Sequence, residues 1–504
     1  MTGLRSFADD FDRLARTGAG RPAVLRADGS VVTYAELHRL VGRMGAWLDQ
    51  RGVPSGGAIV SLLPSSLDAV VLFLACLRTG RQHVPLPCTA TAPEVRAVVA
   101  MTGPNLLLVA DPVPERLVDE LVAAGLRPER LTPGESLRSL PVTPSWSAAS
   151  TGRLLVTTSG STGSAKAVVI DGDRLWSSAH AFLDHHGLGG SELRFWNYLP
   201  MSYLGGLFNL ALIPLASGGS FVVDEPFSGR TFLGFWPKVE RLDIDALWFV
   251  PTIVRGLISL GERRPVRPPE GVRVAFLGTA PSTRAEKLRF RELFGLELRE
   301  NFGLSETTFL TTEDPSTRPE REPHGVGRVL PAVELDLRPP READEPDGPL
   351  EVAVRTPFQM LGYLRSDGRL DPALDDDGFF RTGDLGHLVD GELVLTGRVR
   401  DVVKKGGHLV LLSEPEDAAM THPDVVEAIG VPVPHDFYGE SYVLVVVGRD
   451  DLDPADVETW LRGRLARHKL PTDVLRVDEL PRTASGKVRR GELAAHLGGG
   501  PVLA

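Results

Sequence analysis

The residues best suited to chemistry begin with "TTSGSTGSAK", Thr157 to Lys166. Its glycines let backbone N–H groups approach an anion, its hydroxyls add donors, and Lys166 adds positive charge. That chemistry suits phosphate. A nucleotide-kinase loop needs two glycines separated by four residues, then Lys and Ser or Thr directly after the second. Here Gly160 and Gly163 are three positions apart and Lys166 lies three beyond, so the pattern fails. Context fails too: "LLVTT" and "AVVI" bracket the loop as two strands, whereas the kinase loop opens a helix. A dinucleotide fingerprint is excluded for the same reasons. A Ser/Gly linker is the remaining alternative, but linkers are not normally bracketed by apolar strands.

Three further clusters extend this chemistry. "NFGLSETT" at 301–308 places Glu306 after an aromatic–glycine turn, where a carboxylate beside a phosphate loop could ligate Mg²⁺; the alternative is a helix N-cap at Ser305 and Glu306. "FFRTGDLG" at 379–386 puts Asp384 in a tight turn, able to accept from sugar hydroxyls. The preceding "DDDG" lacks the alternating spacing of a calcium loop and reads as a polar turn. "LPRTASGKVRRGEL" sets Lys487 among glycine and hydroxyls. Only seven of the 55 basic residues are lysine, so a lysine in a glycine-rich loop suggests that a compact ammonium is wanted. Lys238 and Lys287 carry no such expectation.

The elements that must position these residues alternate. "TYAELHRLVGRMGAWLDQRG" reads as a helix ending on Gly52, "GAIVSLL" as a strand, "SLDAVVLFLACLRTG" as a helix and "NLLLVA" as a strand. This rhythm predicts an α/β fold with a largely parallel sheet. From about Val326 the texture becomes short strands, "PAVELDLRP" and "GPLEVAVRTP", around a surface loop "PREADEPDG". A last α+β unit follows "LTGRVRD", with strands "EAIGVPV" and "SYVLVVVG". A helix "DPADVETWLRGRLARH" comes next, with Asp453 as N-cap and Pro454 as its first residue.

Composition excludes some classes. The 504 residues exceed a single core, and a net charge of −11 argues against nucleic-acid binding. Phe195 to Val223 carries no charge, but its prolines, asparagines and glycine pairs argue for a buried helix running into a strand rather than a membrane span. The N-terminus lacks a secretory core, and two cysteines make neither a disulfide framework nor a metal site. A cytoplasmic protein with no membrane partner is expected. His185 and His186 are adjacent rather than four apart, and read as surface residues rather than metal ligands.

Taken in order, these motifs resemble the adenylate-forming superfamily of acyl-CoA synthetases, aryl-acid ligases, nonribosomal peptide adenylation domains and luciferases. The likeness runs over roughly residues 25–494, supported by "LGTAPS" at 277–282 and "ARHKLP" at 466–471. It implies a large N-terminal domain of layered, mostly parallel sheets with helices and a β subdomain (1–397), a hinge (398–402) around Arg400, and a small mobile α+β domain (403–504). The implied chemistry has two halves. A carboxylate attacks the α-phosphate of MgATP to give acyl-AMP and pyrophosphate; an acceptor, commonly coenzyme A, then displaces AMP.

Carried over by position, Thr158, Ser159, Gly160, Ser161, Thr162, Gly163 and Lys166 would hold phosphates. Gly278, Ala280, Pro281, Asn301, Phe302 and Gly303 would form the adenine slot. Ser305 would sit near the α-phosphate, Glu306 would hold Mg²⁺, and Asp384 with Arg398 would bind ribose. Lys487 would bridge the carboxylate and the α-phosphate. Tyr203, Gly205, Gly206, Leu207 and Trp248 would border the acyl pocket.

Departures bear on substrate and acceptor. Ala165 and Ala167 replace the family's usual proline and glycine, and both are small. Tyr203 stands where many acyl-CoA synthetases have histidine, while Leu412 and Pro415 disturb the stretch that helps build the acceptor tunnel. Amino-acid-activating members place an aspartate where this chain has Gly205, and no acidic residue occurs from Phe195 to Val223. A buried substrate ammonium would lack a partner. The expected substrate is an aryl or medium-length acyl acid, not an α-amino acid. The expected acceptor is coenzyme A; the alternatives are an amine or a separate carrier protein, since no carrier sequence follows Leu493.

Overall fold

The computed structural model describes residues 3–131, 151–159, 165–280, 282–314, 325–341, 348–365, 367–406, 408–449, 451–482 and 488–497. The chain divides into two compact units, Met1–Glu334 with Arg355–Leu374, and Leu335–Val354 with Asp375–Ala504.

The first unit holds two sheets. One runs through Thr308–Thr312, Leu298–Leu304, Val274–Leu277, Ala246–Phe249, Arg194–Asn197, Ser220–Val223 and Pro22–Arg26. From Leu298–Leu304 to Pro22–Arg26 every pairing is parallel. Strands such as Ala246–Phe249 and Val274–Leu277 are continuous buried apolar runs, as expected where helices cover both faces. The second sheet orders Gly362–Leu364, Ala165–Asp171, Arg153–Ser159, Gln82–Leu86, Ala58–Leu62 and Leu106–Val109. Its first two pairings are antiparallel and the rest parallel. The helix–strand alternation read from sequence is realised: helix Tyr34–Gln50 precedes Gly52 at φ 68°, and Ser66 N-caps helix Leu67–Arg78.

Three expectations are corrected in this unit. Phe195 to Val223 is not a plain helix running into a strand. Strand Arg194–Asn197 comes first, then a π-helix Gly205–Leu212, one α-turn Ile213–Ala216, and strand Ser220–Val223. The amide of buried Asn197 donates to the carbonyls of Gly206 at 2.8 Å and Leu210 at 3.1 Å, which supplies partners inside this charge-free segment. His186 is not a surface residue. Its ring packs on Phe182 and Phe276 at centroid distances of 4.8 and 5.1 Å, and Nε2 lies 3.0 Å from the Thr312 hydroxyl. Lys287 is no incidental lysine either, because its buried ammonium bridges Glu300 and Glu313.

In the second unit, Glu351–Arg355, Phe380–Val389 and Glu392–Arg398 form antiparallel pairs. A five-stranded sheet centres on the hairpin Val425–His435 and Gly439–Gly448, with Asp473–Arg476 added in parallel. Val403, Val410, Tyr442, Leu444 and Leu461 form its core. Asp453 N-caps helix Pro454–Arg462 as expected, accepting from the Ala455 N–H at 2.9 Å. The helix ends sooner than the sequence suggested, at Gly463, and Arg467–Lys469 forms a separate 3₁₀ turn. "DDDG" is the polar turn expected, with Asp375 and Asp377 committed to ion pairs with Arg338. Among the described residues no helix is long and apolar enough to cross a membrane.

Candidate active site

Glu306 is presented by a β-hairpin, not by a helix N-cap. Strands Leu298–Leu304 and Thr308–Thr312 pair antiparallel, and Ser305, Glu306 and Thr307 form the connection. Gly303 is required at the neck, because a Cβ there would lie 2.0 Å from the Thr308 carbonyl oxygen. Thr308 takes a left-handed φ of 58°, and its hydroxyl lies 2.7 Å from that of Ser178 on helix Gly172–His185. Thr307 is fully buried, whereas Ser305 and Glu306 stay half-buried at the turn.

Lys166 arrives from the other sheet. Arg153–Ser159 and Ala165–Asp171 form the two strands expected on either side of the phosphate loop, with Thr158 opposite Lys166. Gly160, Ser161, Thr162 and Gly163 lie outside the described residues. On its other edge, Ala165–Asp171 pairs with Gly362–Leu364, with Tyr363 opposite Val168. Lys166 is thus a diagonal neighbour of Tyr363 on one face, and its Nζ lies 5.0 Å from the Tyr363 ring centroid. The Tyr363 hydroxyl donates to Glu306 Oε1 at 2.8 Å. Burial, then the charge of Glu306, raises the tyrosine pKa above its ordinary value, so the hydroxyl remains a donor. Two backbone bonds fix this junction: Met360 N–H to Glu306 O at 2.6 Å, and Leu361 N–H to Val169 O at 2.8 Å. Tyr363 was not foreseen. Nothing local in "MLGYL" marks it, since its partners come from strand register and a turn 57 residues away.

The parallel strands Val274–Leu277 and Leu298–Leu304 bring Gly278 beside Asn301. Asn301 Nδ2 donates to Leu277 O at 2.7 Å, and a Cβ on Gly278 would meet Asn301 Oδ1 at 2.7 Å. Thr279 at φ 77° and Ala280 are exposed beyond it, and Phe302 is half-buried. Pro281 lies outside the described residues. In the region assigned to the acyl pocket, a Cβ on Gly205 would sit 2.7 Å from the Tyr203 ring, so the ring lies directly over that glycine. Gly206 and Leu207 are buried in the π-helix. Trp248 is fully buried against Phe276 and Phe309, at centroid distances of 5.0 and 5.5 Å.

In the second unit, Asp384 lies within strand Phe380–Val389 rather than in a tight turn, with Gly383 at φ 74° supplying the local bend. It is opposite Arg398, whose Nε donates to Asp384 Oδ1 at 2.9 Å. Arg400 occupies the turn Val399–Asp401, with Nε 3.8 Å from Asp401. Lys487 lies outside the described residues.

A single oxygen of Glu306 is engaged by Tyr363, and among the described residues no cluster of three or more His, Cys, Asp or Glu could hold a metal alone. One hard carboxylate beside the lysine expected at phosphate fits Mg²⁺, which dehydrates reluctantly and is commonly held by one or two carboxylates plus substrate phosphates.

The chain is similar to known proteins over most of its length. Residues 11–364 match the family model for AMP-binding enzymes, and residues 414–487 match the AMP-binding enzyme C-terminal domain. The chain is 29% identical to a sulfoacetate–CoA ligase of Cupriavidus necator, covering 98% of this chain and 99% of the relative. It is 31% identical to an indoleacetate–CoA ligase of Aromatoleum aromaticum, covering 96% of each. The solved amide bond synthetase McbA of Marinactinospora thermotolerans superposes with a TM-score of 0.82 at 28% identity, over 97% of this chain and 99% of that one. Matched by both family models and by these relatives over nearly its whole length, the chain is a member of the AMP-binding enzyme family of the adenylate-forming superfamily, an AMP-forming ligase of the acyl-CoA synthetase type.

Proposed function

We propose that the protein activates an aryl or medium-length acyl acid, not an α-amino acid, as its acyl-adenylate and transfers the acyl group to coenzyme A. The observation that carries this reading is the junction of Lys166, Tyr363 and Glu306. It sets a cation and a metal-competent carboxylate beside one phosphate hairpin. Lys166 and the loop N–H groups would hold the β- and γ-phosphates, while Glu306 would hold Mg²⁺ through its open oxygen. The bound ion would offset phosphate charge as the carboxylate attacks the α-phosphate. Gly278 and Asn301 would flank the adenine, Asp384 and Arg398 would meet the ribose, and Lys487 would serve the adenylation half-reaction. Arg400 would be the pivot that exchanges the half-reactions, separating a domain 1–397 from 403–504.

The acid class is supported by the acyl region. The Tyr203 ring lies over Gly205, and no acidic residue from Phe195 to Val223 is present to pair with a substrate ammonium. The acceptor has a second reading, an amine, favoured by the likeness to an amide bond synthetase. The test is ATP–pyrophosphate exchange over a panel of aryl, fatty and α-amino acids. Mass spectrometry of products with CoA, amines or carrier protein then identifies the acceptor. Preferential exchange with α-amino acids would refute the substrate class; amide without thioester would replace coenzyme A as acceptor.

A further inference from the structure

We infer that Tyr363 is a positioning residue that keeps Glu306 and Lys166 apart and aimed, so that both remain available to metal-bound ATP. The inference rests on the adenylating role proposed for this site. Lys166 and Glu306 carry opposite charges on neighbouring structures, and such groups tend to collapse into an ion pair. Here neither is in a close ion pair with a described residue, although the charge of Lys166 also reaches Asp371. Tyr363 stands at both: its ring faces the Lys166 ammonium at 5.0 Å, and its hydroxyl holds Glu306 Oε1 at 2.8 Å.

The arrangement is built rather than incidental. Tyr363 lies on a strand paired with the Lys166 strand, so register fixes the ring against the ammonium. The same segment holds the backbone of Glu306 through Met360. Arg174 donates to the carbonyls of Gln359 and Met360, anchoring that segment to helix Gly172–His185. One side chain thereby ties the phosphate hairpin to the carboxylate turn, and among the described residues no hydrogen bond engages the second oxygen of Glu306, which a cation could take.

The test is Tyr363→Phe, which keeps the ring over Lys166 and removes only the hydroxyl. Binding of a non-hydrolysable ATP analogue is measured by calorimetry across a Mg²⁺ titration, with ATP–pyrophosphate exchange in parallel. The expected result is a Mg²⁺ half-saturation raised roughly 10- to 100-fold, consistent with one lost hydrogen bond to a charged group, with analogue binding in the absence of Mg²⁺ unchanged. Glu306→Asp, which withdraws the carboxylate from the hydroxyl while leaving Tyr363 in place, should shift the same parameter. Tyr363→Phe added to Glu306→Gln should change it no further. Wild-type Mg²⁺ dependence in Tyr363→Phe, or full additivity in the double variant, would overturn the inference. Failure of the wild-type protein to exchange pyrophosphate with any acid would instead overturn the proposed function, since analogue binding needs no acid.

Discussion

The ammonium of Lys287 lies 2.7 Å from Glu300 Oε2, and both side chains are almost fully buried. Glu313 completes the cluster at 2.9 Å from the same ammonium and also accepts the Glu300 backbone N–H at 3.0 Å. Glu300 accepts in turn from the Ser282 N–H at 3.3 Å. The cluster joins helix Arg284–Phe294 to the strand carrying Asn301 and to the chain just beyond Gly278 and Ala280. An ion cluster therefore underlies the segments assigned to the adenine slot.

Lys287→Met should destabilise the protein by about 3–5 kcal/mol, because it leaves two carboxylates buried without their cation. Burial pushes Glu300 up to about 7 from 4.5, although Lys287 opposes that rise. A carboxyl raised in the folded state contributes most below its unfolded pKa, and that contribution is lost as pH rises through the folded value. Without Lys287 the pKa rises further, so the loss should be smaller at pH 5 than at pH 8. Denaturant titrations at both pH values check this; equal losses would show that Glu300 does not titrate in that range.

Gly303→Ala tests the neck of the Glu306 hairpin. Its Cβ would meet the Thr308 carbonyl at 2.0 Å, so the backbone must move. A cost of about 1–3 kcal/mol is expected, with pyrophosphate exchange falling more steeply than thermal stability. Activity and melting temperature both at wild-type levels would mean that the hairpin absorbs the methyl.

Gly278→Ala would push Asn301 off its bond to Leu277, since the new Cβ comes within 2.7 Å of Asn301 Oδ1. The KM for ATP should rise roughly tenfold, the equivalent of one hydrogen bond of about 1.4 kcal/mol. The KM for the acid should be unaffected. Steady-state kinetics with each substrate varied separate the two.

Lys487→Ala should abolish adenylate formation while leaving acyl transfer from supplied acyl-AMP largely intact. Single-turnover assays of each half-reaction check it. Equal loss of both would remove Lys487 from a role confined to the first half-reaction.

Legibility differed with the range of the interactions. The two strands on either side of the Gly/Ser run were readable because apolar residues bracket it locally; their antiparallel pairing was not. Glu306 was readable as a candidate metal ligand, but a helix N-cap competed with it, and pairing with Thr308–Thr312 decided for a hairpin. His186 was misread because adjacency with His185 gives no sign of the aromatic cluster that covers it. The π-helix at Gly205–Leu212 had no periodic signature, since the segment is apolar on every face and Asn197 organises its carbonyls from an adjoining strand.

By itself the sequence determined the chemical inventory: a glycine- and hydroxyl-rich loop with one lysine, a carboxylate after a glycine turn, and no acid in the acyl region. These follow from residue type and spacing, which act over a few positions. Only the tertiary structure decided that Tyr363 stands between Lys166 and Glu306, and that Lys287 is a buried bridge. Those partnerships depend on strand register and on which charged groups are desolvated together. Both are set by packing between segments distant in the chain, and local pattern does not encode them.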